Sequence, residues 1–145
     1  MDFNTLAGAS RSDIINLISD GGKSETAVSE AEFALLDADL TASAGAFEDG
    51  KLCGCVLNSV SGNEATLLAM GADSVEIQKQ VFDYTFKLLN ERGIALYKAE
   101  SYSDMPEKTA LLKECGFEAA EERAGERYTP LGAKRVTVIK LEKTL

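Results

Sequence analysis

The chain contains no histidine, so its three cysteines and its tyrosines are the side chains that most readily suggest chemistry. Cys53 and Cys55 form a C-x-C pair, and a strand would place both thiols on one face, where they could hold a metal ion. The remaining cysteine is Cys115, so the sequence offers too few cysteine and histidine ligands for a typical metal site. The pattern therefore favours small buried thiols, and we predict neither a metal site nor a disulfide framework.

Three tyrosines are candidate proton donors, because a phenol can act as a general acid. Tyr97 falls within a predicted strand, Tyr102 follows it at the strand end where α/β sites gather, and Tyr128 lies in a polar segment that could fold over a site. Packing is the alternative role for each of them. Cys115 is a candidate nucleophile or proton relay, but with no histidine to activate it a core-facing position is the stronger interpretation.

Composition and charge limit the classes of protein to which the chain can belong. A chain of 145 residues, of which 45% are hydrophobic and 27% charged, fits a single domain spanning residues 1–145. The 24 acidic and 15 basic residues give a net charge of −9, which repels nucleic acid and anionic membranes. The same field favours cationic ligands such as amines, although it serves solubility equally well.

Targeting signals are not evident in the sequence. No apolar run is long enough to span a bilayer, and the opening residues MDFNTLAGASRSD lack the basic start and apolar core of a signal peptide. We therefore predict a cytoplasmic protein that does not bind membranes.

Helix-capping patterns predict two short helices near the start of the chain. Ser10 with Asp13 and Ser29 with Glu32 both resemble capping boxes. The buried stripe of the second helix is predicted to consist of Phe33, Leu36 and Leu40.

Turn signals and periodicity predict the remaining elements. The pairs Asp49-Gly50 and Gly62-Asn63 divide the next segment into three antiparallel strands. The run SVEIQKQVFDYTFKLLNERG has the period of a long helix, and the strand IALYKAES follows it directly, so the strands near Leu67 and Leu96 should be parallel. The run Ser103 to Pro106 and Gly116 are typical of the two ends of a fourth helix. A short strand, a polar excursion and a final strand complete the chain.

This order of elements, with EDGKLCGCVL, LNERG and LLKECGF in their places, resembles the GNAT N-acyltransferase superfamily over essentially the whole chain. The resemblance implies an α/β (α+β) fold in which a mixed, mostly antiparallel sheet with a splayed parallel strand pair is flanked by about four helices. It also implies transfer of an acyl group from a CoA thioester, acetyl-CoA, to an amine substrate, without a metal.

The family signature R/Q-x-x-G-x-G/A wraps the CoA diphosphate at the start of the long helix, where free backbone amides and the helix dipole form an anion site. Here DSVEIQ falls on the signature, with Asp73 in place of Arg or Gln, and Glu76 and Gln78 in place of the glycines. Glu76 also has a simpler role as an acid that stabilises the first helical turn. The resemblance implies a cofactor loop made of Asp73, Ser74, Val75, Glu76, Ile77, Gln78 and Lys79.

Further site residues are implied around this loop. Backbone groups near Leu67, Leu68 and Met70 would hold pantetheine in the splay, and Glu64 on the same strand is a candidate base for the amine, or simply a solvated carboxylate. In the family pattern N-x-x-A-x-x-L-Y-x-K-x-G-F, matched here by M-P-E-K-T-A-L-L-K-E-C-G-F, Leu112 replaces the tyrosine that protonates the thiolate. Tyr102 is the candidate catalytic acid that remains.

Two functions follow from these observations. The first is an acyl-CoA-dependent N-acetyltransferase that acts by direct attack of a primary amine of a small molecule or a protein. The alternative is a catalytically degenerate GNAT-fold binding or regulatory module, for example a homodimer, that no longer uses acetyl-CoA. The usual use of the fold favours the first, and the altered loop favours the second.

Overall fold

The computed structural model describes residues 1–129 and 131–145, within which seven strands form one sheet in the order β1-β2-β3-β4-β5-β7-β6. All neighbouring strands are antiparallel except β4 and β5, which are parallel. No helix in this described part is long and apolar enough to cross a bilayer. The elements in chain order are β1 (Asp2–Thr5), α1 (Arg11–Ile18), α2 (Glu25–Asp37), β2 (Ala44–Glu48), β3 (Lys51–Ser61), β4 (Glu64–Ala72), α3 (Val75–Glu91), β5 (Leu96–Tyr102), α4 (Pro106–Glu114), β6 (Glu118–Thr129) and β7 (Gly132–Thr144).

Helices cover both faces of the sheet, and each face has its own apolar core. On one face, α3 and α4 contribute Val81, Phe82 and Leu112 to a cluster that includes Val56 and Tyr97 from the strands. On the other face, α1 and α2 contribute Ile14 and Leu35, which pack with Leu57. The mixed, mostly antiparallel sheet with four flanking helices is the fold that the sequence predicted.

The central meander follows from its turn residues. Asp49 and Gly50 both have positive φ, 51° and 79°, as the two-residue turn between β2 and β3 requires. The predicted long helix is also confirmed: α3 begins after the N-cap Ser74 and ends just before Gly93, whose φ is 78°.

The C-x-C pair does not share a face, which corrects the sequence interpretation. Ala46 pairs with Gly54 and Phe47 with Leu52, so Cys53 is left unpaired as a bulge in β3. Cys53 consequently packs in the core beneath α3, whereas Cys55 packs in the core beneath α1 and α2. Burial raises the pKa of Cys55 to about 12. Among residues 1–129 and 131–145, no three His, Cys, Asp or Glu side chains form a group that could hold a metal ion.

Helix α2 starts five residues earlier than its sequence pattern suggested. Its N-cap is Ser24, whose Oγ accepts a hydrogen bond from the Ala27 amide at 3.0 Å, and Ser29 lies inside the helix. The predicted buried stripe is wrong: Phe33 and Leu36 are each 69% exposed, and Ala31 and Leu35 are buried instead. The helix is therefore turned so that its small and branched side chains, and not Phe33, contact the sheet.

The sheet has two edge strands that the sequence did not predict in this form. β1 pairs with β2 at one edge, where no strand was expected. At the other edge the expected short strand and polar excursion form one continuous strand, β6, which is 12 residues long and pairs with β7 along its length. Tyr128 belongs to this strand and not to a loop.

Helix α4 begins with Pro106 in its first turn, as predicted, but its N-cap is Met105, which makes no side-chain capping bond. The two polar residues before it bond elsewhere. Ser103 Oγ accepts from the Thr137 amide of β7 at 2.9 Å, and Asp104 pairs with Arg127 of β6 and Lys134 of β7. These contacts tie the start of α4 to the β6–β7 hairpin.

Candidate functional site

The parallel strands β4 and β5 separate soon after they meet. Only the pairs Glu64 with Leu96, Ala65 with Tyr97 and Thr66 with Lys98 form within the described residues. The register of β3 against β4 then shifts, with Leu57 opposite Ala69 and Asn58 opposite Leu67, so that Leu68 is bulged. A bulge bends its strand, and this one follows directly after the last parallel pair. We call the resulting gap between β4 and β5 the splay.

Three cavities meet at the splay. The sheet-face cavity, of about 700 Å³, lies along Thr66, Leu68, Lys98, Glu100 and Tyr102. The α2 cavity, of about 500 Å³, lies between α2 and the same stretch of β4, and includes Glu30, Leu68, Met70 and Tyr128. The helix groove, of about 760 Å³, lies between the start of α3 and α4, and includes Met70, Val75, Met105 and Leu111. Because α1 and α2 lie on one face of the sheet and α3 and α4 on the other, the splay connects the two faces.

Lys108 of α4 lines all three cavities. Burial lowers its pKa, although the carboxylates of Glu100 and Glu30 act in the opposite direction. Within the described part of the chain, no carboxylate lies within 4.0 Å of its amine to form an ion pair. Lys108 is therefore an unpaired amine at the junction of the two faces.

Lys108 was not among the site residues predicted from the sequence, although the family pattern marks its position as unusual. In the family pattern quoted above, a small alanine stands at the position of Lys108, four residues before Leu112. A long cationic side chain at a position that tolerates a small one was the clue. Leu112 itself is fully buried and contributes to the core.

The start of α3 has few free backbone amides. Ser74 Oγ accepts a hydrogen bond from the Ile77 amide at 3.2 Å, and the Asp73 amide donates to the Cys53 carbonyl at 2.9 Å. The amides of Val75 and Glu76 lie in the first turn, where a helix offers no internal acceptor, and no other acceptor for them is found among residues 1–129 and 131–145. The amides of Val75 and Glu76 are thus available for an anion, between the exposed carboxylates of Asp73 and Glu76.

Gln78 and Lys79, the last two residues of the implied cofactor loop, are engaged elsewhere. The side chain of Gln78 is buried, and its Nε2 donates to the Cys55 carbonyl at 3.4 Å, which holds α3 on the sheet. The Lys79 amine lies 2.6 Å from the Glu114 carboxylate of α4, and this hydrogen bond raises the pKa of Lys79. Of the implied loop residues, Val75 is the one that lines the helix groove.

Tyr102 and Glu64, the two candidates for proton transfer, lie in different places. Tyr102 lines the sheet-face cavity, and burial raises the pKa of its phenol. The Arg127 guanidinium lies over its ring, 5.9 Å from the centroid. Glu64 lies at the paired end of β4 and forms an ion pair with Lys98 at 2.9 Å. As far as the structure describes the chain, Glu64 lines none of the three cavities.

The other candidates from the sequence divide between core and surface. Tyr97 is fully buried, and its hydroxyl donates to Asn58 Oδ1, so its ring faces the core. Tyr128 is 72% exposed on β6 and lines the α2 cavity. Cys115 packs against the core at the end of α4, and burial raises the pKa of its thiol.

An ionic cluster closes one end of the site. The Arg127 guanidinium donates to the Asp104 carboxylate, and this hydrogen bond lowers the pKa of Asp104. Lys134 adds a contact to the same carboxylate at 3.3 Å. The cluster holds the β6–β7 hairpin against the start of α4, beside both the helix groove and the α2 cavity.

No protein-family model matches the sequence, and no curated protein matches it significantly. Solved structures do match over nearly the whole chain. The ribosomal-protein-S18-alanine N-acetyltransferase of Escherichia coli superposes with a TM-score of 0.74 at 18% identity, covering 99% of this chain and 92% of that one. An acetyltransferase of the GNAT family from Streptococcus pneumoniae gives 0.73 at 14% identity, covering 99% of each chain. A Bacillus subtilis acetyltransferase in complex with CoA gives 0.70 at 10% identity, covering 99% and 97%.

The sequence identities are low, and what these proteins share with this chain is their architecture. The sheet with one parallel pair and the four helices agree with what the sequence predicted. The chain has the fold of the GNAT N-acetyltransferase superfamily.

Proposed function

We propose that the chain is an acyl-CoA-dependent N-acetyltransferase that transfers an acetyl group to a primary amine of a small molecule or a protein. The observation that carries this proposal is the splay, which connects the helix groove on one face of the sheet with two cavities on the other face. Direct transfer needs the donor thioester and the acceptor amine to meet in a fixed geometry. A passage between two cavities on opposite faces suits that requirement.

The donor side of the site fits acetyl-CoA in part. Met70, Val75 and Leu111 give the helix groove apolar walls for a pantetheine chain. Beyond Thr66, the backbone groups of β4 that face the splay have no partners on β5, so they can hydrogen-bond a ligand. The free amides of Val75 and Glu76 suit a diphosphate, whereas the Asp73 and Glu76 carboxylates oppose it. The donor supplies an acetyl group that its thioester activates towards amines.

The acceptor side suits an amine. Glu100 and Glu30 border the cavities on that face, and their carboxylates attract an ammonium group and can accept its proton on attack. Tyr102 lines the sheet-face cavity, and its phenol can donate a proton to the departing sulfur. We assign proton acceptance to Glu100 in preference to Glu64, because Glu100 lines the sheet-face cavity and its contact with Arg123 is long, 3.9 Å, whereas Glu64 is held by Lys98 at 2.9 Å.

The test is calorimetric titration of the full chain with CoA and acetyl-CoA. We expect binding in the micromolar range, which is common for enzyme substrates. The double variant Asp73→Asn with Glu76→Gln should bind up to about thirtyfold more tightly, since two nearby charges at about 1 kcal/mol each in water-like surroundings contribute about 2 kcal/mol together. Asp83→Asn with Glu91→Gln removes the same charge from exposed positions later in α3 and should leave the affinity nearly unchanged.

A second candidate is a GNAT-fold binding module that no longer uses acetyl-CoA. The capped Ile77 amide and the two carboxylates at the start of α3 favour it. The same titration separates the two. No binding by the natural chain, with binding gained by the Asp73→Asn, Glu76→Gln variant, would assign the chain to this class. If neither protein bound CoA or acetyl-CoA, that result would contradict a CoA site of any kind at the start of α3.

A further inference from the structure

We propose that the chain acylates itself at Lys108, whose ε-amine lies in the splay where an acceptor amine would have to meet the thioester of acyl-CoA. This inference rests on the proposed function, because it needs an acyl-CoA bound in the helix groove. It adds a modification site at Lys108. It also assigns to the proposed active site a reaction that requires no separate acceptor amine.

The position of Lys108 is the first support. Its helix, α4, lies on the same face as α3, and Lys108 lines the helix groove on that side. It also lines both cavities on the opposite face, and the charges that act on its amine come from Glu100 of β5 and Glu30 of α2. An acceptor amine that enters from the sheet-face cavity must pass the same point. Lys108 is therefore an amine of the protein that already occupies the acceptor position.

The state of the Lys108 amine is the second support. Only the neutral form of an amine is nucleophilic, and desolvation lowers the pKa of Lys108 towards that form. Neighbouring lysines are held as cations: the hydrogen bonds that Lys79 donates to Glu114 and Lys98 donates to Glu64 raise the pKa values of both lysines. Of the described lysines whose pKa is shifted, Lys108 is the one that shifts downwards.

The reaction balances with the groups present. A bond forms between Lys108 Nζ and the acyl carbon, and the bond between that carbon and the CoA sulfur breaks with its electron pair on sulfur. The proton that leaves nitrogen passes to the Glu100 carboxylate, Tyr102 gives its proton to the thiolate, and Glu100 returns the proton to Tyr102, since both side chains line the sheet-face cavity. The products are N-acyl-lysine and free CoA. Because an amide is a poor acyl donor, the acyl group stays on Lys108, and each chain reacts once.

The first experiment is incubation of the full chain with acetyl-CoA, followed by intact mass measurement and peptide mapping. We expect one acetyl group per chain, located on Lys108 and slowed by excess free CoA. Lys108→Arg keeps the charge and cannot be acylated in this way, so it should lose the modification. Lys113→Arg is the matched control, because Lys113 is an exposed lysine on the same helix, and it should react like the natural chain.

A second measurement tests the reactivity of the Lys108 amine in the absence of CoA. Trace labelling with acetic anhydride near neutral pH compares Lys108 with Lys113 in one sample. Each unit by which a pKa is lowered raises the neutral fraction of an amine about tenfold, so Lys108 should label ahead of Lys113. Labelling of Lys108 behind Lys113 would show an amine that is protonated or closed to small acylating reagents, and either result would overturn the inference.

The outcomes separate the two proposals. If calorimetry shows CoA binding while acetyl-CoA leaves Lys108 unmodified, self-acylation is wrong and the proposed function stands. If acetyl groups spread over exposed lysines and free CoA has no effect, the reaction is ordinary chemical acetylation, and self-acylation is again wrong. If neither the natural chain nor its Asp73→Asn, Glu76→Gln variant binds CoA, the proposed function fails and self-acylation fails with it.

Discussion

Gly71 of β4 lies where the end of α1 crosses the sheet, against Ile18, which lines the α2 cavity. A Cβ atom at Gly71 would lie 2.8 Å from the Leu17 carbonyl oxygen and 3.0 Å from Ile18 Cα. These are backbone atoms of a packed helix, which cannot move aside as a side-chain tip can. We expect Gly71→Ala to lower the free energy of unfolding by about 1–3 kcal/mol, as overpacking does, in a urea denaturation experiment.

Gly8 provides the control for this substitution. A Cβ atom there would have nothing within 4 Å, so Gly8→Ala should change the free energy of unfolding by less than about 0.5 kcal/mol, the usual range for surface changes. Equal stability of the two variants would mean that α1 does not rest on β4 as described, and the wall of the α2 cavity would have to be redrawn.

Single residues also show where sequence reasoning could and could not find the site. The run from Asp73 to Lys79 was placed at the start of the long helix because the apolar period of that helix is a local pattern and the family signature aligns with DSVEIQ. The role of Lys108 was not identified, because it depends on the gap between β4 and β5, and Leu68 of β4 lies 40 residues before Lys108 in the sequence. The bulge at Leu68 that opens this gap leaves no local mark.

At the scale of elements, α2 gives a direct test of the corrected helix start. Ser24 caps the helix by accepting from the Ala27 amide, whereas Ser29 lies exposed within it. Ser24→Ala should therefore lower the free energy of unfolding by about 1 kcal/mol, the usual value of a lost N-cap. Ser29→Ala should leave it unchanged or raise it slightly, because alanine is the better helix former.

Denaturation of the two serine variants in parallel is the measurement, and each is the other's control. The sequence alone predicted the opposite order, because Ser29 with Glu32 resembles a capping box and Ser24 does not. A larger loss from Ser29→Ala would support that first interpretation and contradict a helix that begins at Glu25.

The elements that the sequence predicted well are those whose signals are local. Turn residues with positive φ, such as Asp49 and Gly50, and the apolar period of α3 fixed the meander and the long helix. The exposed Phe33 and the charged strand β6 were misjudged for a common reason. Local sequence does not determine which face of a helix contacts the sheet. It also does not determine whether a polar strand pairs at the sheet edge.

At the scale of the whole molecule, the net charge of −9 surrounds a site proposed to bind an anion. The cations near the start of α3 do little to offset it, because Lys79 is neutralised by Glu114. Lys108 lies at the proposed thioester position, and burial lowers its pKa, which favours the uncharged amine. The field of the molecule therefore opposes the donor, and the affinity must come from short-range contacts.

This charge distribution predicts an unusual response to salt. Basic sites lose affinity for anions as salt rises, whereas here salt screens a net repulsion. We expect the dissociation constant for CoA to fall about threefold between roughly 10 mM and 150 mM salt, as the screening length shortens from about 30 Å to about 8 Å. Pantetheine, which carries no diphosphate, is the control, and its affinity should not change. If CoA instead bound more weakly as salt rose, cations would dominate the site, and the two carboxylates at the start of α3 could not be what limits binding.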